Sequence, residues 1–336
     1  MSLYKYVIVD RIDILRNELI RFTQPSAFND PFECRPFIQS IIGGLDLSDF
    51  SIPINLLPDK QQEILAEVME RVEQLKRCIP KVRIPSGLEQ ELRTVITGIS
   101  NELSERPVTE LLEQEDAKVL FRNILPTSLS AQIGILSLAE RPDNLLMWSH
   151  YAQNHTGFVI EFDEEHSFFK SASDGTEHKN PLTLQRVQYS VGRPKRPLIN
   201  SIKDFEQNPS WYLVKSEEWQ YEHEWRMMRP LAHADQCFQV QDSKSVRIRR
   251  RKYEDERRHM RLVEDALRPE LGKYIYLFSL PADCIKSVIL GCRMTPKNRR
   301  RILRFLSREK RYHHVKKHEA TTDEKAFKLN ITQLRV

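Results

Sequence analysis

Cysteine is scarce and poorly placed for cross-linking. Only five of the 336 residues are cysteine (Cys34, Cys78, Cys237, Cys284 and Cys292), and no two have the two-residue spacing of a zinc knuckle or a dithiol redox motif. An odd set of isolated thiols excludes a disulfide scaffold and reads as reduced structural side chains. Glycine is rarer than proline, 10 against 18, which argues against glycine-rich repeats and against a dinucleotide fold built on several tight glycine turns. No apolar run is long enough to span a bilayer, and Met1-Ser2-Leu3-Tyr4-Lys5 enters a strand-like pattern at once. Neither a membrane segment nor a leader is expected, and the protein is expected to be soluble and cytoplasmic. The chain also lacks Gly-x-x-x-x-Gly-Lys-Ser/Thr, His-Glu-x-x-His, Gly-x-Ser-x-Gly and Gly-x-Gly-x-x-Gly. Kinase, zinc-protease, serine-hydrolase and standard dehydrogenase chemistries are therefore poor fits.

What is present is an uneven charge. The formal net charge is only +5, but residues 241–336 hold 26 Lys and Arg against 12 Asp and Glu, which is +14, while residues 1–240 hold 26 against 35, which is −9. Two basic runs produce the imbalance, one through Arg249-Arg250-Arg251-Lys252 and one through Lys297 to Lys317, including Arg299, Arg300 and Arg301. Basic density of this kind attracts polyanions, so RNA or DNA is the expected partner; a solvated basic helix face is the plainer alternative.

Leu3–Ile8, Leu19–Thr23, Gly134–Leu138, Gly157–Phe162, Leu184–Tyr189, Trp225–Met228, Ile275–Ser279, Ile285–Leu290 and Phe327–Ile331 have the aromatic and β-branched content of strands. Helices are expected over Arg11–Asn17, Asn144–Gln153, Asp255–Leu267 and Lys297–Arg308, and helical spacing also runs through much of 45–125. The expected fold is α+β: a central mixed or antiparallel sheet of seven or eight short strands. Residues 1–44 and 126–336 form the core domain, 45–125 a helical insertion, and 242–270 a basic helical insertion within the core. No internal repeat is visible.

Three segments are dense in reactive side chains. Asn29-Asp30-Pro31-Phe32-Glu33 is a turn with three polar groups and an aromatic expected to be buried, and such a turn also serves simply to satisfy its own backbone. In Met147-Trp148-Ser149-His150-Tyr151-Ala152 with His155, a helix would stack Trp148, Tyr151 and His155 on one face with His150 beside it. That face suits a base or a nicotinamide, or else it is ordinary core. In Glu222-His223-Glu224-Trp225-Arg226, a strand would put both carboxylates and the guanidinium on one face, where neighbouring charges push carboxylate pKa values apart.

The order of these blocks resembles the domain of unknown function 2971 family. The likeness rests on Leu3-Tyr4-Lys5-Tyr6, Phe28-Asn29-Asp30-Pro31-Phe32-Glu33, Ser137-Leu138 and Met147 to Ala152, then His155-Thr156-Gly157-Phe158, Lys215, Trp219 to Arg226 and Val288-Ile289-Leu290-Gly291. That family implies no established reaction. At the level of fold the order of elements is similar to ADP-ribosyltransferases, although the first strand lacks the histidine or arginine usual there, so Lys5 or Tyr6 stands in. The resemblance implies NAD as cofactor and transfer of ADP-ribose, with nucleic acid as an acceptor and a toxin or antiviral-defence setting. Glu224 is the first catalytic choice and Glu222 the second. Tyr4, Lys5, Tyr6, Asn29, Asp30, Trp148, His150, Tyr151, His155 and Arg226 would surround the cofactor. Two alternatives remain: a non-catalytic nucleic-acid-binding or regulatory module, and a metal-dependent nuclease in which Asp30, Glu33, Glu222 and Glu224 converge on Mg²⁺.

Overall fold

A computed structural model describes residues 2–34, 37–40, 133–170, 184–197, 212–241, 244–247 and 273–334. The helical insertion expected over 45–125 lies outside these residues, as do Asp255–Leu267 and Arg249–Lys252. In chain order the described elements are β1 (Ser2–Val7), α1 (Asp13–Asn17), β2 (Leu19–Phe22), β3 (Phe37–Ser40), β4 (Ile133–Ala139), α2 (Leu145–Tyr151), β5 (Phe158–Asp163), β6 (Gln185–Arg186), β7 (Gln188–Ser190), β8 (Lys195–Pro197), β9 (Val214–Ser216) and β10 (Glu224–Pro230). β11 (Gln236–Gln241), β12 (Lys244–Arg247), β13 (Lys273–Ser279), β14 (Ile285–Leu290), α3 (Pro296–Arg308), β15 (Lys316–Thr322) and β16 (Leu329–Gln333) complete them.

The fold is α+β. Eight strands form one mixed sheet in the order β16-β15-β14-β5-β1-β4-β10-β6, in which only β14 and β15 pair in parallel. A second sheet, β12-β11-β13-β2, packs alongside. Within the stretch expected to be a basic helical insertion, Lys244–Arg247 form strand β12 instead. Their period-two pattern pairs with β11, Val246 lying opposite Gln239. The described residues hold sixteen strands against the seven or eight expected: the strand expected over Leu184–Tyr189 is divided into β6 and β7, β8 and β9 have only three residues each, and β11, β12 and β15 lie outside the expected strands.

Alternation along the strands divides the core. Leu3 and Val7 of β1, Leu136 and Leu138 of β4, and Ile160 of β5 face one way and pack with Ile302 and Leu306 of α3. Tyr6, Ala139, Val159 and Ile289 face the other way and meet Met147, Trp148 and Ala152 around α2. α2 starts where Asn144 accepts hydrogen bonds from the Leu146 and Met147 amides at 2.9 and 3.1 Å. It is followed by three consecutive left-handed residues, Gln153, Asn154 and His155, with φ of 51°, 52° and 67°. The chain then passes Gly157, where an added Cβ would lie 2.2 Å from the Val7 carbonyl oxygen. Only glycine permits that approach, and it seats α2 against β1.

The sheet is split at its centre. β1 pairs with β4 at a single position, Tyr4 opposite Ala139. Further along β4, Ile135 exchanges both backbone hydrogen bonds with Thr23, just past β2, each at 2.9 Å. β4 therefore changes partner from β1 to β2, and between the two pairings the Lys5 ammonium reaches the Ser137 carbonyl at 2.8 Å.

Candidate active site

A cavity of about 370 Å³ opens at this split. Its wall includes Tyr4, Lys5 and Tyr6 from β1, Arg21 from β2, Asn29 and Glu33 from the Asn-Asp-Pro turn, Ser137 from β4, Met147 and Tyr151 from α2, and Lys215, Glu222 and Glu224.

The last three belong to a buried ionic cluster. Glu222 is not on a strand as expected: Glu217–Glu222 form a 3₁₀ turn, His223 is left-handed with φ of 43°, and the strand begins at Glu224. The left-handed residue turns the chain between the two elements, and both carboxylates still converge on Lys215 of β9. The Lys215 ammonium donates to Glu222 Oε2 at 2.6 Å and Glu224 Oε2 at 3.2 Å, and stands 3.6 Å from Glu33 Oε1. Arg226, two residues along β10, shares the Glu224 face as expected. Its Nε and Nη2 grip Glu224 Oε1 and Oε2 at 2.8 and 2.9 Å, and it also donates to Glu33 and to the Tyr212 carbonyl. Phe28 lies under the guanidinium, 5.5 Å from ring centre to Cζ, and the Trp219 ring is 4.8 Å from the Lys215 ammonium.

These neighbours set the protonation states. Burial alone would raise Glu224, but the Arg226 and Lys215 charges outweigh it and hold this carboxyl well below the usual range. Burial raises Glu33 and the two cations only partly offset it, so Glu33 is protonated more readily than Glu224. Lys215 is held charged, because the three carboxylates overcome the burial that would lower it. Lys5 behaves oppositely. Burial, reinforced by the Arg11 and Arg21 charges, brings its ammonium down to about 8, against the opposing pull of Glu224 and Glu222.

Glu222 is held differently from Glu224. Its Oε1 accepts from the Tyr151 hydroxyl at 2.6 Å and its Oε2 from Lys215. Asn144, besides capping α2, donates to the Tyr221 carbonyl at 2.6 Å, which ties α2 to the turn carrying Glu222.

The structure thus brings Tyr4, Lys5, Tyr6, Asn29, Tyr151, Glu222 and Glu224 together at one cavity. Other candidates lie elsewhere. Arg226 is fully buried behind Glu224. Asp30 turns its carboxylate onto the Phe32 amide at 2.8 Å, and Phe32 is 62% exposed rather than buried. Trp148 is core: it is completely buried, donates to the Pro142 carbonyl at 2.7 Å and meets Tyr6 edge-on at 5.5 Å. His155 lies beyond α2, because the helix stops at Tyr151, and it stacks on Trp148 at 6.3 Å. His150 is exposed, its ring 6.3 Å from that of Tyr151. Of the basic candidates, Arg299 pairs with Glu319 at 3.0 Å, while Arg300 and Arg301 are exposed on α3. The convergence required by the nuclease alternative does not form: Asp30 serves its own turn, and Lys215 and Arg226 stand between the other carboxylates. Among the described residues no group of three or more His, Cys, Asp or Glu is placed to hold a metal ion. Arg21 and Lys215 are site residues that the sequence does not single out for a role, since a lone cation in an apolar strand carries no spacing signal, although Lys215 is one of the residues that carry the family resemblance.

Residues 147–227 match the model of a family described as a protein of unknown function (DUF2971). The match bears out the resemblance over the span that contains Tyr151, Lys215, Glu222, Glu224 and Arg226. No curated protein and no solved structure matches the chain. No described helix is long and apolar enough to cross a membrane.

Proposed function

We propose that the chain is a cytoplasmic enzyme of the ADP-ribosyltransferase type, with NAD as its substrate. The observation that carries this reading is Glu222, a cavity-wall carboxylate fixed by a phenol and an ammonium beside two aromatic rings, Tyr4 and Tyr6. In such a transfer the bond between ribose and nicotinamide breaks, and its electron pair leaves on nicotinamide. Positive charge builds on the ribose, and the acceptor nucleophile bonds to the same carbon as it loses its proton. A carboxylate already oriented, in a site with little water, stabilises that charge without reorganising. Glu222 replaces Glu224 as first choice, because Glu224 is neutralised by two cations, the Arg226 fork and Lys215, whereas Glu222 meets one cation and a neutral phenol. Glu224 is better suited as a positioning residue that holds Lys215, and through it Glu222. A cavity near the lower end of the usual ~300–1,000 Å³ range takes a nucleoside-sized portion of the substrate and leaves the remainder at the mouth. Incubating the protein with labelled NAD and RNA, DNA or protein tests this. Nicotinamide release or label transfer is expected, and neither occurring would overturn it.

A second reading, binding of nucleic acid, is favoured by α3. Its sequence has no acidic residue, and Lys297, Arg300, Arg301, Arg304 and Arg308 are exposed opposite the buried Ile302 and Leu306. They form a stripe about 16 Å long at 1.5 Å rise per residue. This surface is compatible with an acceptor polyanion as well as with a purely binding role.

A further inference from the structure

We infer that Lys5 and Arg21, on the two sides of the sheet split, form a subsite for a diphosphate or doubly charged phosphate. The inference rests on the reading above for the position of the ligand, but on separate groups. Both side chains line the cavity, one from β1 and one from β2. Among the described residues neither forms an ion pair, in contrast to Lys215 and Arg226, which are surrounded by carboxylates. The Arg21 Nε is buried with no hydrogen-bond partner, a costly state for a charged group. Lys5 makes one hydrogen bond, to the neutral Ser137 carbonyl, leaving two of its three donors for a ligand. Antiparallel alternation sends the Ser137 N–H to the same edge as its carbonyl, so a backbone donor also faces the split. The charged groups facing Lys5 are Glu222 and Glu224 across the cavity and Arg11 and Arg21 beside it, and burial outweighs the pull of the carboxylates.

Two uncompensated cations call for two negative charges. A single carboxylate would leave one cation unpaired, and a neutral nucleoside would leave both. A diphosphate satisfies the pair and spans the separate strands. The subsite therefore selects phosphorylated nucleotides, with the phosphates at the split and the glycosidic bond toward Glu222.

The test is calorimetric titration with ADP-ribose, inorganic pyrophosphate and nicotinamide riboside, using wild type, Lys5→Gln, Arg21→Gln and Arg21→Lys. Circular dichroism and melting would confirm that each variant folds. ADP-ribose and pyrophosphate are expected to bind wild type, to weaken at least tenfold in both Gln variants and to recover in part in Arg21→Lys, while nicotinamide riboside binding is unchanged. Equal binding of the phosphate probes to wild type and the Gln variants, or no binding of these probes to wild type, would overturn the subsite. Release of nicotinamide without any such discrimination removes the subsite and leaves the enzyme reading standing. Phosphate binding without NAD cleavage does the reverse.

Discussion

At the residue scale, the half-buried Lys5 and the fully buried Arg226 are two cations with opposite energetics. Arg226 sits in a fork with Glu224 and against Glu33, so removing it strands buried carboxylates. Breaking one partner of a buried pair typically costs about 3–5 kcal/mol. Arg226→Leu is expected to lose stability on that order in urea unfolding; a loss below about 1 kcal/mol would show that the cluster is not what holds β10 in place. Lys5 lacks such partners. Its folded pKa, about 8, lies below the unfolded value of 10.5, so the unfolded chain binds more protons between the two, and stability should rise with pH through that window. At pH 7 the charged ammonium opposes folding. Lys5→Met should therefore raise Tm by roughly a few degrees while losing phosphate binding, the trade expected of a functional cation. A lower Tm at pH 7 would contradict this account. Phosphate affinity in wild type should fall as pH rises past 8, because the anion needs the protonated form.

At the element scale, the site depends on how α2, the 3₁₀ turn and the split strands are fastened together. Asn144 accepts two amides at the start of α2 and donates to the Tyr221 carbonyl, so Asn144→Ala should cost about 1–2 kcal/mol from the lost cap. Asn144→Asp keeps the cap and loses the donor; if Asn144 positions Glu222, the Asp variant should melt near wild type yet cleave NAD more slowly. Equal rates would limit Asn144 to capping. The strands β1, β4, β5, β10, β13 and β14 and the helix α3 are legible from their apolar pattern, whereas β15, as long as β4, is not, because Lys316-Lys317-His318-Glu319 reads as a solvated polar run. Trp148 illustrates the limit: helical spacing placed it on the same face as Tyr151, but neither spacing nor composition says which part of that face is roofed by Pro142 and Tyr6. The Glu-x-Glu-x-Arg pattern stands out in the sequence for its density. It converges for a different reason from the one expected, because the left-handed His223 turns the chain where alternation predicts a straight strand.

At the scale of the whole molecule, the charge asymmetry along the chain survives folding as an exposed stripe on α3, and the cavity arises where β4 changes partner. Neither the split nor the pairing of Lys215 with Glu33 can be read from local pattern, since both join segments more than a hundred residues apart. If all five exposed α3 cations meet phosphates, log K against log salt should slope near −3.5 for single strands and near −4.5 for duplex. A slope near zero, or one unchanged by Arg300→Glu with Arg304→Glu, would remove α3 from nucleic-acid binding. The central claim is that Glu222, held by Tyr151 and Lys215, stabilises charge at a ribose. Its most direct test is the rate of nicotinamide release from NAD by wild type and by Glu222→Gln, with folding of the variant verified by its melting curve. The account predicts measurable release by wild type and a loss of about 10²–10³-fold in the variant, the magnitude of one removed electrostatic stabiliser. Release that persists unchanged in a folded Glu222→Gln protein, or its absence from wild type, would contradict it.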